Sequence, residues 1–122
     1  MKEMFQIDFA NIEGSINALI ERGAKLANDL YAVGLDVAKA EIDCEALEGT
    51  VAVRLRETGV KVTEGHVASV VDSDPDVIAL RKKYRNATAV LAKIRADLDC
   101  LHDTRRMLVA WINGQTKAGI DV

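Results

Sequence analysis

Residues 16–51 read INALIERGAKLANDLYAVGLDVAKAEIDCEALEGTV. Within them Ile16, Leu19, Gly23, Leu26, Leu30, Val33, Val37, Ala40, Cys44, Leu47 and Val51 follow at steps alternating between three and four. That spacing is one helical face sustained over successive heptads, the a/d seam of a coiled coil. Asp8 or Asn11 stands where an N-cap belongs, and Gly59 after Thr58 supplies a stop, so the seam lies on one helix of about 45 residues. A helix of that length cannot cover its own apolar stripe and requires a partner.

The partner lies further along the chain. Val77, Leu80, Tyr84, Ala87, Leu91, Ile94, Leu98, Leu101, Arg105, Leu108 and Ile112 form a second seam spanning the same number of residues. Ser73-Asp74-Pro75-Asp76 opens it with a capping carboxylate, a proline at the first helical position and an acid in the first turn. Asn113 and Gly114 mark its expected end. Between the seams Thr63 can cap a short helix carrying Val67, Val70 and Val71 and ending near Asp72.

The expected fold is therefore all-α. It is a long antiparallel, coiled-coil-like helical hairpin in a single domain, with helices over residues 9–58, 64–72 and 75–113 and the short one at the turn. Antiparallel pairing of equal seams matches residues whose numbers sum to about 128. It sets Val51 against Val77, Glu48 against Arg81, Glu45 against Lys83, and the charged seam residue Arg105 against Gly23, which lacks a side chain.

Composition agrees with a folded helical chain: 122 residues, 49% hydrophobic, 29% charged, with one proline. Glu3, Asp8 and Glu13 break up the first twenty residues, so neither a secretory signal nor a membrane span is expected, and a cytoplasmic location is the default. Cys44 and Cys100 fall on different helices and are expected to be reduced, buried or half-buried thiols. His66 and His102 have no cysteine or acid cluster at metal-ligand spacing, and no glycine-rich phosphate loop or nucleophile motif occurs. Asp97, Asp99 and Asp103 read as a solvated helix face. A non-enzymatic chain without metal or cofactor is the expectation.

Two features point to binding. Ala24, Tyr31, Leu35, Ala38 and Ile42 form a second apolar stripe that one partner helix cannot cover, which favours a homo-oligomer. Charge is also divided along the chain: residues 1–50 carry −6, residues 51–80 carry −2 and residues 81–106 carry +5. Near the turn Arg54, Arg56 and Lys61 join Arg81, Lys82 and Arg85, a basic set able to track a phosphate backbone. The same charges also suit flanking pairs that fix the antiparallel partner. Both readings stand at this point.

Between Thr50 and Ile112 the chain resembles the phage recombination mediator proteins of the UvsY type. The resemblance rests on Arg54-Leu55-Arg56, on Val70-Val71-Asp72-Ser73-Asp74, on Asp76-Val77-Ile78, on the Leu-Asp-Cys-Leu segment at 98–101 and on Arg105-Arg106. It implies a small helical oligomer that binds single-stranded DNA and helps load a strand-exchange recombinase onto DNA occupied by a single-strand-binding protein. The family's Lys-Ala-Arg-Leu contact motif falls on Ala52, Val53, Arg54 and Leu55, so its arginine and leucine are kept and its lysine is alanine. The alternative from a different class is a structural or adaptor coiled coil that docks another protein through its helices without contacting DNA.

Overall fold

The structure, a computed structural model, describes residues 7–59 and 61–117. It is all-α: α1 (Ile12–Glu57), α2 (Glu64–Ser73) and α3 (Pro75–Lys117), with no strand among the described residues. The long helices α1 and α3 pack against each other as a helical hairpin, joined through α2.

Each helix end has a local cause. Asp8 accepts from Ala10 N–H at 2.9 Å through its carboxylate, which holds residues 8–10 in a turn. Asn11 then caps α1, its Oδ1 accepting from Gly14 N–H at 3.0 Å, so the helix starts three residues later than expected. Gly59, at φ +76°, follows the end of α1 in the left-handed conformation that glycine adopts without a Cβ clash. Thr63 Oγ1 accepts from His66 N–H at 3.1 Å and starts α2. Asp74 serves two helices: its N–H donates to the Val71 carbonyl at 3.2 Å, and its carboxylate accepts from Asp76 and Val77 N–H at 2.9 and 3.1 Å. Gly114, the expected stop, lies within α3, which runs on to Lys117. It has no positive φ, and a glycine in ordinary helical geometry ends nothing.

The hairpin comprises two compact units. In the turn unit, Ala32–Leu91, the core is Val51, Val67, Val71 and Val77, flanked by Leu47, Ala52, Leu55, Val62 and Val70. Val51 and Val77 share this cluster as the register requires, and Glu48 meets Arg81 at 2.9 Å. The expected pair of Glu45 with Lys83 does not form among the described residues. Lys83 instead lines a groove with Asp36, Lys39 and Asn86. Each residue adds about 100° round a helix, which puts Glu45 and Lys83 on flanks that do not meet in this register.

In the arm unit, built from the described residues up to Tyr31 and from Ala92 onward, Leu19, Leu26, Ile94, Leu101 and Leu108 are buried. Here the seam departs from expectation. Arg105 is exposed, and Thr104 is wholly buried in its stead, with its hydroxyl donating to the Cys100 carbonyl at 2.9 Å. Gly23 faces Leu101, whose Cδ2 would stand 3.1 Å from a Cβ at 23, and Arg105 one turn on lines the same groove as Gly23, so the expected register holds to within one heptad. The exchange is confined to one position, because the expected seam residues Leu101 and Leu108 on either side stay buried. Phe9 lies against Trp111 with ring centroids 4.8 Å apart.

Val77 has no solvent exposure and touches all the elements of the turn core, so Val77→Ala should destabilise the chain by about 2 kcal/mol in urea unfolding. An unchanged midpoint would mean that the turn core contributes little to folding.

Candidate nucleic-acid and self-association surfaces

The six basic residues singled out near the turn all lie in the turn unit, and the structure sorts them into two kinds. Arg81 is committed internally. Its Nε donates to Glu48 on α1 at 2.9 Å and its Nη1 to Asp72 on α2 at 2.8 Å, so one guanidinium ties three helices together. These two hydrogen bonds raise its pKa further above the ordinary arginine value. Arg56 donates to Glu64 at 3.2 Å. Arg54, Lys61, Lys82 and Arg85 are exposed and make no ion pair among the described residues.

Position on the helices sorts them further. Arg54 and Arg56 are two residues apart, hence about 160° apart round α1, and do not form one patch. Arg56 is turned toward α2, as its bond to Glu64 requires. Lys82 and Arg85 are one turn apart and share the outer face of α3 with Ile78 and Ala89. The cations that remain available for a phosphate backbone are thus Arg54, Lys61, Lys82 and Arg85, with Arg56 held by a solvent-exposed acid.

Every residue of the expected self-association stripe is exposed. In the arm unit these are Ala24 and Tyr31, the latter 71% exposed; in the turn unit they are Leu35, Ala38 and Ile42. The stripe in the turn unit runs further than the sequence reading took it, through Ala46, Gly49 and Val53, all exposed. Steps of three and four were the available signal, and the small side chains at 46 and 49 hid it. A second feature missed from the sequence lies in the arm unit: an apolar groove of about 380 Å³ between Ile16, Ile20 and Gly23 on α1 and Leu101, Leu108, Val109 and Ile112 on α3, with Arg105 at its wall. The absent side chain of Gly23 opens it.

Among the described residues no group of three or more His, Cys, Asp or Glu is placed to hold a metal ion, and no helix is long and apolar enough to cross a membrane. Cys44 is a free thiol. No protein-family model, no curated protein and no solved structure matches the chain.

Cys44 is buried on the α1 seam, and that burial, reinforced by Glu48 and opposed by Arg81, pushes its thiol above the ordinary cysteine value of 9.0. A raised pKa in the folded state stabilises the fold below the ordinary value and loses that contribution as pH rises through the raised one. Cys44 should therefore react with a thiol reagent more slowly in the folded chain than in the urea-unfolded chain at pH 8. Above pH 9 the urea midpoint of the parent should fall more steeply than that of Cys44→Ala; equal slopes would show that the site does not hold the thiol neutral.

Proposed function

We propose that the chain is a non-enzymatic, single-stranded DNA-binding accessory protein of the recombination-mediator kind, which self-associates through its helices and helps load a recombinase onto DNA occupied by a single-strand-binding protein. The observation that carries this reading is the unpaired cationic set of the turn unit. Arg54, Lys61, Lys82 and Arg85 stand exposed without an acidic partner among the described residues, in a chain whose net charge is −3. Charges serving only the hairpin would be paired across it, as Arg81 is. The UvsY-type resemblance over residues 50–112 supplies the recombinase and the single-strand-binding protein as partners, and agrees with a helical self-associating fold.

Binding of this type is dominated by phosphates. Aromatic platforms are scarce, because Tyr84 is half-buried at the seam and Trp111 is engaged by Phe9. Affinity should then fall steeply with salt and depend little on base sequence.

The second reading, an adaptor coiled coil that binds another protein without DNA, is favoured by a different observation, the exposed stripe containing Leu35, Ile42 and Val53. Titrating a fluorescent oligo-dT at low and moderate salt separates the two. The mediator reading expects salt-sensitive binding by the parent, and Lys82→Ala/Arg85→Ala should weaken it and flatten the slope of log affinity against log salt by about 1.4. Arg81→Ala should act differently, lowering the urea midpoint while leaving the slope in place, because that guanidinium is held by Glu48 and Asp72. Absence of binding by the parent at low salt would leave the adaptor.

A further inference from the structure

The turn unit carries two outer faces that have no cover. On α1, Leu35, Ala38, Ile42, Ala46, Gly49 and Val53 form one stripe about half a turn round the helix from the buried seam. Leu35 is 55%, Ile42 64% and Val53 49% exposed, and nothing lies within 4 Å of a Cβ built on Gly49. One edge of this stripe bears Glu41 and Glu45, neither of which makes an ion pair among the described residues; the other bears Lys39 and Asp43, which offset each other. On α3, Ile78, Lys82, Arg85 and Ala89 form the outer face, again roughly opposite that helix's own seam. Ile78 is 51% exposed, and the face includes no acid.

We infer that the occupant of the α1 stripe is the outer face of α3 from a second copy of this chain. Charge complementarity selects this pairing over the symmetric ones. Antiparallel stacking of α1 on α1 of another copy brings Glu41 and Glu45 toward their own equivalents, parallel stacking sets them along the edge where Lys39 and Asp43 offset each other, and stacking α3 on α3 brings Lys82 and Arg85 together; none of these gains the attraction of opposite charges. Placing α3 on α1 sets Lys82 and Arg85 of one copy beside Glu41 and Glu45 of the other. It also lays Ile78 and Ala89 on a surface where Ala38, Ala46 and Gly49 leave room for close approach between Leu35, Ile42 and Val53. Such a contact is heterologous. Each copy keeps one free face of either kind, so assembly continues past the dimer.

The pairing does not rest on strand binding and is tested without DNA. Sedimentation velocity of the full chain should show species larger than a dimer as concentration rises, shrinking at high salt. Ile42→Asp disables the α1 face and Lys82→Glu/Arg85→Glu the α3 face. All three positions are exposed, so helicity by circular dichroism should be retained; if Ile42→Asp loses it, Ile42→Ser takes its place. Each variant alone should stay monomeric, and an equimolar mixture should form a heterodimer and nothing larger, because one working face of each kind remains. The inference is overturned if either variant assembles like the parent, if the mixture stays monomeric, or if the parent stops at a dimer that Lys82→Glu/Arg85→Glu leaves intact.

Discussion

Burial of two long apolar seams is the constraint from which the rest of this structure follows. Helices of 46 and 43 residues gain most of their stability from tertiary packing of one face, not from intrinsic propensity, and each seam here finds its cover on the other arm. Val51, Val67, Val71 and Val77 close the turn because α2 is short enough to lie over the place where the arms are joined. Asp74 makes that closure compact. By ending α2 and capping α3 with the same residue it removes any linker between them, so Val71 and Val77 reach one core across a single non-helical residue.

Much of this was legible in the sequence, because the heptad pattern, the Ser73-Asp74-Pro75-Asp76 boundary and Thr63 are local signals with local causes. Glu48 against Arg81 was legible too, since equal antiparallel seams set opposite charges there across the hairpin. One seam position was misassigned. In the arm unit the buried column passes from Leu101 through Thr104 to Leu108 and leaves Arg105 exposed, and steps of three or four are equally helical, so the spacing alone does not choose between 104 and 105. Thr104 is tolerated there because its hydroxyl bonds back to its own helix and brings no unsatisfied polar group into the core.

The basic set was legible as a composition and not as a surface. Six cations near the turn looked equivalent in the sequence, yet Arg81 is drawn inward between Glu48 and Asp72, and Arg56 is turned to Glu64. The difference is one of angle. Arg54 and Arg56 fall on separate faces of α1, and Arg81 flanks the seam where Lys82 does not, so residues adjacent in sequence take different roles. An ion pair between solvent-exposed groups contributes little to stability, but one cation shared by acids on two other helices restricts how those helices can be arranged.

The same angular sorting relates the two proposed surfaces to each other. Lys82 and Arg85 lie on the outer face of α3, so they are the cations that a polyanion and an acidic helix face would both seek. If strand binding and head-to-tail assembly both occur, they draw on one pair of charges, and a copy whose α3 is covered by a neighbour's α1 meets a strand with Arg54 and Lys61 instead. DNA and the acidic face bearing Glu41 and Glu45 then compete for the same two side chains, and each weakens the other in proportion to its own concentration relative to its own affinity. Both contacts also weaken as ionic strength rises, so salt alone cannot tell them apart. Apolar contact can: the assembly would lay Leu35 and Ile42 against Ile78, whereas a strand bound through its phosphates leaves those side chains in water.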